Sequence, residues 1–283
     1  MSSFVDLFAG IGGFRLGLER AGWRCAWSND LDRYACAVYR RHWGEILEAD
    51  VRSVDPKDLP DADMVVASFP CQPFSYAGKM LGFEDPRGML FFEVARILKA
   101  RRFPLVLLEN VKGLLSAQGG ECFAEVLNTL RGLGYGVEWC VLDSRDFGVP
   151  QRRERVFVVG YTGGPAPREC LLAWERARSL LRSRFKMREP VCGGVCRTLV
   201  ASRPHIVVER KEGGWFRLRR LSLVECERLQ GFPDGWTECG LTKEGELIRL
   251  SDHRRYVLLG NAVTVPVAEF LGKKILIAFD NVI

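Results

Sequence analysis

The chain has 283 residues, 47% hydrophobic and 27% charged, enough for one large domain or a domain and a half with an ordinary core. No apolar run reaches the roughly 18–20 residues of a membrane span, and MSSFVDLFAGIGG shows no basic leader before an apolar stretch, so a cytoplasmic protein is expected. The net charge of +6 is uneven: residues 151–220 hold 17 basic against 6 acidic side chains, which reads either as the footprint of a polyanion partner or as a solvated basic face.

In chain order, SFVDLFA predicts a short buried strand running into glycines, and residues 12–21 set Phe14, Leu16, Leu18 and Ala21 on one helical side. RCAWSN (24–29) predicts a second strand, followed by a helix to about His42. MVVAS (64–68) and PLVLLEN (104–110) are continuous apolar runs, which suit strands buried on both faces of a parallel sheet. FFEVARILKA (91–100) predicts an amphipathic helix between them. The βαβα rhythm predicts an α/β, doubly wound domain.

After Gly160 the rhythm breaks. TGGPAPRE reads as a loop and CLLAWERARSLLRSRFKM as a basic amphipathic helix. VCGGVCRTLVAS, HIVVER and WFRLRRL read as short strands in a second, smaller, mostly irregular region. A last helix, roughly 263–279, is apolar enough to pack back on the first domain. The ten cysteines are scattered, as reduced thiols rather than a disulfide framework. Cys192 and Cys196, with His205 the only nearby histidine, fall short of a zinc ligand set, so no metal is expected.

Five segments carry chemistry. In DLFAGIGGF, Gly10, Gly12 and Gly13 join a strand to a helix; such glycines let backbone approach a ligand, or simply make a tight turn. The second strand ends at Asn29-Asp30 and the third at Asp50, where acidic groups can receive ribose hydroxyls and an adenine amino group. No phosphate loop with its lysine is present, so the ligand need not carry phosphates. In SFPCQPFSYAGK, prolines on both sides of Cys71-Gln72 expose a thiol at a strand end; the plainer reading is an inert cysteine. The stretch from there to Gly88, rich in Gly, Ser, Pro and charge, suits a loop that closes over a substrate. In LLENVKGL, Glu109 follows an apolar run and is placed to donate a proton. In VPQRRERVFVVG, Arg153 and Arg155 share a strand face, with Gln151 before them. In LGNAVTVPVAEFLG, Asn261 and Val263 precede the last helix.

Together with RLSLVECERLQGFPD (220–234), these segments stand in the order found in DNA cytosine-5 methyltransferases, which the chain resembles over about 1–160 and 197–275. The resemblance implies a Rossmann-like S-adenosylmethionine-dependent methyltransferase fold, of bacterial or phage restriction-modification type. It implies that Cys71 is the nucleophile toward a flipped-out cytosine, that Glu109 binds the ring N3 edge, and that Arg155 and Arg153 orient the base and favour the thiolate. It assigns Phe8, Gly10, Gly12, Asp30, Leu31, Asp50, Val51, Pro70, Leu90, Asn261 and Val263 to the S-adenosylmethionine pocket, and Gln72, Ser75 and Gln151 to DNA contact. It makes 1–160 plus 260–283 the catalytic unit and 161–259 a small target-recognition domain, in which Arg176, Arg178, Arg182, Arg184, Lys186 and Arg188 grip phosphate. Duplex DNA, a cognate restriction enzyme and action as a monomer are the implied partners and state.

The chain departs from the family pattern at Phe69, where a proline is common, at Asp30, where glutamate is commoner, and in the short stretch between Gly160 and Arg197. Two rivals stay open: an RNA cytosine-5 methyltransferase of the same fold acting on transfer RNA, and a catalytically silent DNA-binding regulator.

Overall fold

Every residue of β1 (Ser3–Leu7) is buried, as a central strand covered on both faces requires. The structure, a computed structural model, describes residues 1–74, 82–162, 196–199, 206–210 and 216–280. After β1 come α1 (Gly13–Arg20), β2 (Arg24–Asp30), α2 (Arg33–Trp43), β3 (Leu47–Glu48), β4 (Met64–Ala67), α3 (Leu90–Arg101), β5 (Leu105–Val111), α4 (Glu121–Gly132), β6 (Gly136–Asp143), β7 (Gln151–Arg152) and β8 (Glu154–Tyr161). Seven strands form one sheet in the order β3-β2-β1-β4-β5-β8-β6. The pairs from β3 through β5 are parallel, and β8 runs antiparallel to both β5 and β6.

Period-two alternation divides the side chains between two layers. Val5, Leu7, Val65, Ala67, Val106, Leu108, Val156 and Val158 pack with α3 and α4. Phe4, Met64, Val66, Leu105, Leu107, Phe157 and Val159 point the other way, onto α1 and the last helix, α7 (Val265–Asp280). Helices α1 and α7 meet closely enough that a Cβ on Gly17 would stand 2.6 Å from that of Ala268. Each large apolar side chain so buried contributes about 1.5–3 kcal/mol.

The rest of the described chain comprises β9 (Cys196–Arg197), the hairpin β10 (Ile206–Arg210) and β11 (Phe216–Arg220), α5 (Leu223–Gln230), the hairpin β12 (Cys239–Leu241) and β13 (Leu247–Arg249), and α6 (Asp252–Asn261). Leu221, Cys226, Leu229, Phe232, Trp236, Leu250 and Leu258 share a third core with Ile11, Ala35 and Val38 of the α/β layer. This part therefore packs directly behind the glycine loop.

The predicted strands and helices of the first 110 residues are present, and so are IVVER (206–210), FRLRR (216–220) and the final helix. Three features differ from expectation. Helix α4 and edge strand β6 were not anticipated; β8, a continuous apolar run, is antiparallel; and the region expected to be mostly irregular contains α5 and α6. The predicted basic helix, with Arg176, Arg178, Arg182, Arg184, Lys186 and Arg188, lies outside the described residues. Among the described residues, no helix is long and apolar enough to cross a membrane.

Candidate active site

Strand β5 sends Leu105 and Leu107 into the α7-side core, and Glu109 occupies the next position on that face. It is 5% exposed and is held from two sides. Ser68 Oγ donates to Glu109 Oε2 at 2.5 Å, and Arg155 Nε lies 3.1 Å from Glu109 Oε1. The register explains the ion pair: Phe157 stands opposite Glu109 and Arg155 opposite Val111, so Arg155 is the diagonal neighbour across the β5–β8 ladder. The reversed strand β8 is what carries this arginine to the carboxyl edge of the parallel strands.

Cys71 follows β4 at the same edge. Its carbonyl accepts from Phe74 N at 3.0 Å, closing a 3-10 turn over Gln72–Phe74. Phe69 and Phe74 anchor this turn from below, with ring centroids 6.1 Å apart, and Phe69 continues to Phe91 at 5.6 Å. Asn110 Nδ2 holds the Phe69 carbonyl at 3.0 Å. Burial pushes the Cys71 thiol above its ordinary value; the Arg155 guanidinium pulls it back, Glu109 raises it and Arg153 lowers it. The thiol, the carboxylate and the guanidinium thus sit in one electrostatic neighbourhood. Gln72 lies in the turn, and Ser75 lies outside the described residues.

At the neighbouring strand ends the glycine loop passes through left-handed conformations at Phe8 (φ 59°), Gly10 (φ 57°) and Gly12 (φ 82°). Asp30 organises it: Oδ2 accepts from Gly10 N and Oδ1 from Asp32 N, both at 2.8 Å. Burial raises the Asp30 pKa against the pull of these donors. Leu31 beside it is 66% exposed. Asp50 caps the next turn and is paired with Arg52 at 2.6 Å, and Val51 is buried in the α3-side core. Val263 closes the loop from behind, since a Cβ on Gly13 would stand 2.9 Å from Val263 Cγ1. Asn261 is exposed at the end of α6, Leu90 begins α3, and Pro70 is half-buried beside Cys71. A Cβ at Gly10 would have nothing within 4 Å, so the loop faces open space there.

The two arginines expected to share a strand face are placed differently: Arg155 lies on β8, while Arg153 lies in the break between β7 and β8. Arg153 is 2% exposed and donates to the carbonyls of Leu199 (3.2 Å), Gly260 (3.1 Å) and Ala262 (2.8 Å). Burial lowers its pKa to about 9. Gln151, expected at DNA, is fully buried: its Nε2 donates to the Leu229 carbonyl at 2.9 Å and its Oε1 accepts from Leu199 N at 2.9 Å. Gln230 and Thr264 complete this hub, with Thr264 Oγ1 donating to Gln230 Oε1 at 2.9 Å. Sequence reasoning did not single out Ser68, Asn110, Gln230 or Thr264. All four lie inside motifs already quoted; Gln230 and Thr264 act through contacts with distant residues that no local pattern announces.

The seven-stranded sheet with one reversed strand, and a glycine loop beside a thiol and a carboxylate at its carboxyl edge, is the Rossmann-like fold of S-adenosylmethionine-dependent methyltransferases. The sequence profile of C-5 cytosine-specific DNA methylases matches residues 2–168 and 168–276. Type II methyltransferase M.NgoBI of Neisseria gonorrhoeae is 38% identical over 96% of this chain and 92% of its own length. Type II methyltransferase M.HhaI of Haemophilus parahaemolyticus is 33% identical over 96% and 93%. In fold, the crystal structure of S. pombe Dnmt2 methyltransferase superposes with a TM-score of 0.72 at 19% identity, covering 100% of this chain and 99% of that one. The chain belongs to the C-5 cytosine-specific DNA methylase family and is a DNA cytosine-5 methyltransferase.

Proposed function

We propose that the protein methylates carbon-5 of a cytosine flipped out of a specific duplex DNA sequence, using S-adenosylmethionine as donor and Cys71 as a covalent nucleophile. The observation that carries this reading is the Cys71–Glu109–Arg155 corner, a thiol and a buried ion pair at one sheet edge. Cytosine carbon-5 is a poor nucleophile. Addition of the Cys71 thiolate to carbon-6, with Glu109 giving a proton at N3, converts the ring to an enamine. Bound S-adenosylmethionine would supply an electrophilic methyl group to carbon-5 from its sulfonium, leaving as S-adenosylhomocysteine. Loss of the carbon-5 proton to solvent then expels Cys71 as thiolate, and the N3 proton returns to Glu109, releasing neutral 5-methylcytosine. Arg155 holds the Glu109 carboxyl in place and favours the thiolate. Removing the base from the stack costs roughly a few kcal/mol.

The open space at Gly10, the exposed Leu31 and the loop held by Asp30 support a nucleoside site for the donor. Asp30 would then serve the ribose through the loop it organises, and Asp50 and Val263 would flank the donor. Residues 1–160 and 260–283 would form the catalytic unit, and 161–259 would contain the target-reading residues. Relatives described as Type II methyltransferases support a role paired with a restriction enzyme, and a cytoplasmic monomer suffices for this chemistry. The test incubates the protein with labelled S-adenosylmethionine and mixed-sequence duplex DNA, beside Cys71→Ser and transfer RNA controls, and maps 5-methylcytosine by bisulfite sequencing. Label at one short DNA motif, absent with Cys71→Ser, is the expected result. Label in RNA alone would replace the substrate assignment, and full activity of Cys71→Ser would remove the covalent step.

A further inference from the structure

The glycine loop needs support from outside itself. Phe8 sits at positive φ between β1 and Gly10, a conformation that persists in a large side chain only where the surroundings hold it. Within the α/β layer, Ala9 N donates to the Asn29 carbonyl at 2.9 Å, Gly10 N to Asp30, and Gly12 N to the Ala9 carbonyl at 2.9 Å. The Ile11 carbonyl is held from elsewhere: Trp236 Nε1 donates to it at 3.0 Å, from a turn 225 residues further along.

That indole is itself fixed on every side. Fully buried Glu227 accepts from Gly235 N at 2.7 Å and Thr237 N at 2.8 Å, the two neighbours of Trp236, and pairs with Arg255 at 3.1 Å. The His42 ring stacks on Trp236 with centroids 3.5 Å apart and planes within 5°, and His42 Nε2 lies 2.9 Å from the Trp236 carbonyl. Trp43 meets Trp236 edge-on at 5.3 Å and also fills the space beside Gly12, where a Cβ would stand 2.1 Å from its ring.

We propose that Trp236 is a positioning residue for the methyl donor: its indole N–H, aimed by Glu227 and clamped by His42 and Trp43, sets the path of the glycine loop from outside the sheet. The inference rests on the reading of that loop as the donor's cradle. It adds that donor affinity depends on the turn after α5, which supplies no part of the thiol–carboxylate corner.

The test is Trp236→Phe, which keeps one aromatic ring in the stack and removes the N–H together with the second ring of the indole. Dissociation constants for S-adenosylmethionine and for duplex DNA are measured separately, with amide hydrogen exchange across residues 8–13. Loss of one hydrogen bond should weaken donor binding by about five- to tenfold, raise the donor KM more than it lowers kcat, and speed loop exchange, with DNA affinity within about twofold. Unchanged donor affinity overturns the proposal, as does equal weakening toward donor and DNA, which marks a purely structural role. A measurement on wild-type protein carries the test if the variant fails to fold. In protein labelled with nitrogen-15 at tryptophan, the indole N–H resonance displaced by His42→Gln must also move on donor titration; if it stays still, the proposal fails. No donor binding by wild-type protein would instead overturn the reading of the loop itself.

Discussion

Two polar clusters lie within a few residues of each other on the β7–β8 segment and behave oppositely. Around Arg153, Gln151, Gln230 and Thr264, the buried donors and acceptors largely meet backbone or one another. Around Arg155, Glu109 and Cys71, at the carboxyl edge of the parallel strands, the half-buried thiol is held away from its ordinary pKa by burial and by opposing charges. The difference teaches how to separate scaffold from chemistry when residue types are the same. A buried polar group whose partners are all internal holds the fold; one with capacity directed at a cleft is available to a substrate.

The largest effect should come from Glu109→Gln. Ser68 and Arg155 sit on different oxygens of Glu109; the amide oxygen can keep Arg155, its NH2 can donate to Ser68 Oγ in place of the bond it received, and it cannot deliver a proton. Turnover should fall by about 10²–10⁴-fold, while the thermal midpoint moves by only about 2–4 °C or less. A variant that lost stability in proportion to activity would place Glu109 with the scaffold and collapse the distinction. The converse variant is Arg153→Met, which strands the carbonyls of Leu199, Gly260 and Ala262 in a dry interior. It should cost about 3 kcal/mol or more in a denaturant titration. If it lost turnover while keeping its denaturation midpoint, Arg153 would belong to the active corner.

A smaller effect with a sharper signature is expected from Arg155→Gln. Burial is the main force raising the Cys71 thiol and Arg155 the main force lowering it. Removing the guanidinium should therefore move the thiol further up, shift the rising limb of the pH–rate profile to higher pH, and lower the rate near neutrality by about tenfold. A profile that keeps its midpoint while its height drops would mean that Arg155 acts on the base alone.

The distinction also marks what was legible in the sequence. Strand ends, glycines and the prolines flanking Cys71 are local features, so the sheet edge and the residues it gathers could be anticipated from short segments. Glu109 was visible as a carboxylate closing an apolar run. The direction of β8 was not, because a strand buried on both faces has the same composition whichever way it runs. Gln151, which the resemblance assigned to DNA contact, is buried against partners 78 and 48 residues away that no local pattern announces. Asp30 was visible as an acidic strand end, but its bond to Gly10 N, twenty residues back, was not. Trp236 gave no signal, since a tryptophan before Thr237 reads as ordinary core. Contacts between distant backbone carbonyls and side chains leave no periodicity to detect.

The same comparison predicts the smallest effect, at a third polar cluster that is satisfied but lies at the surface. Ser222 and Glu225 form a capping box at the start of α5: Ser222 Oγ accepts from Glu225 N at 3.2 Å, and Glu225 accepts from Ser222 N at 2.7 Å. Arg219 pairs with the same carboxylate at 2.7 Å and, with the serine's donors, holds its pKa down at about 2. If satisfied groups act as scaffold wherever they lie, this cluster should resemble the Arg153 hub in kind and fall below it in size, because solvent screens the pair. Ser222→Ala should lower stability by about 1 kcal/mol with kcat unchanged. The carboxyl is more acidic in the folded state than its ordinary 4.5, so its stabilisation is fully present above that value and is lost as pH falls toward about 2. Denaturation midpoints of wild-type protein and Glu225→Gln should therefore differ at pH 7 and converge as acid is added. A gap that stays constant with pH would assign the effect to helix capping by shape rather than to the charge on Glu225.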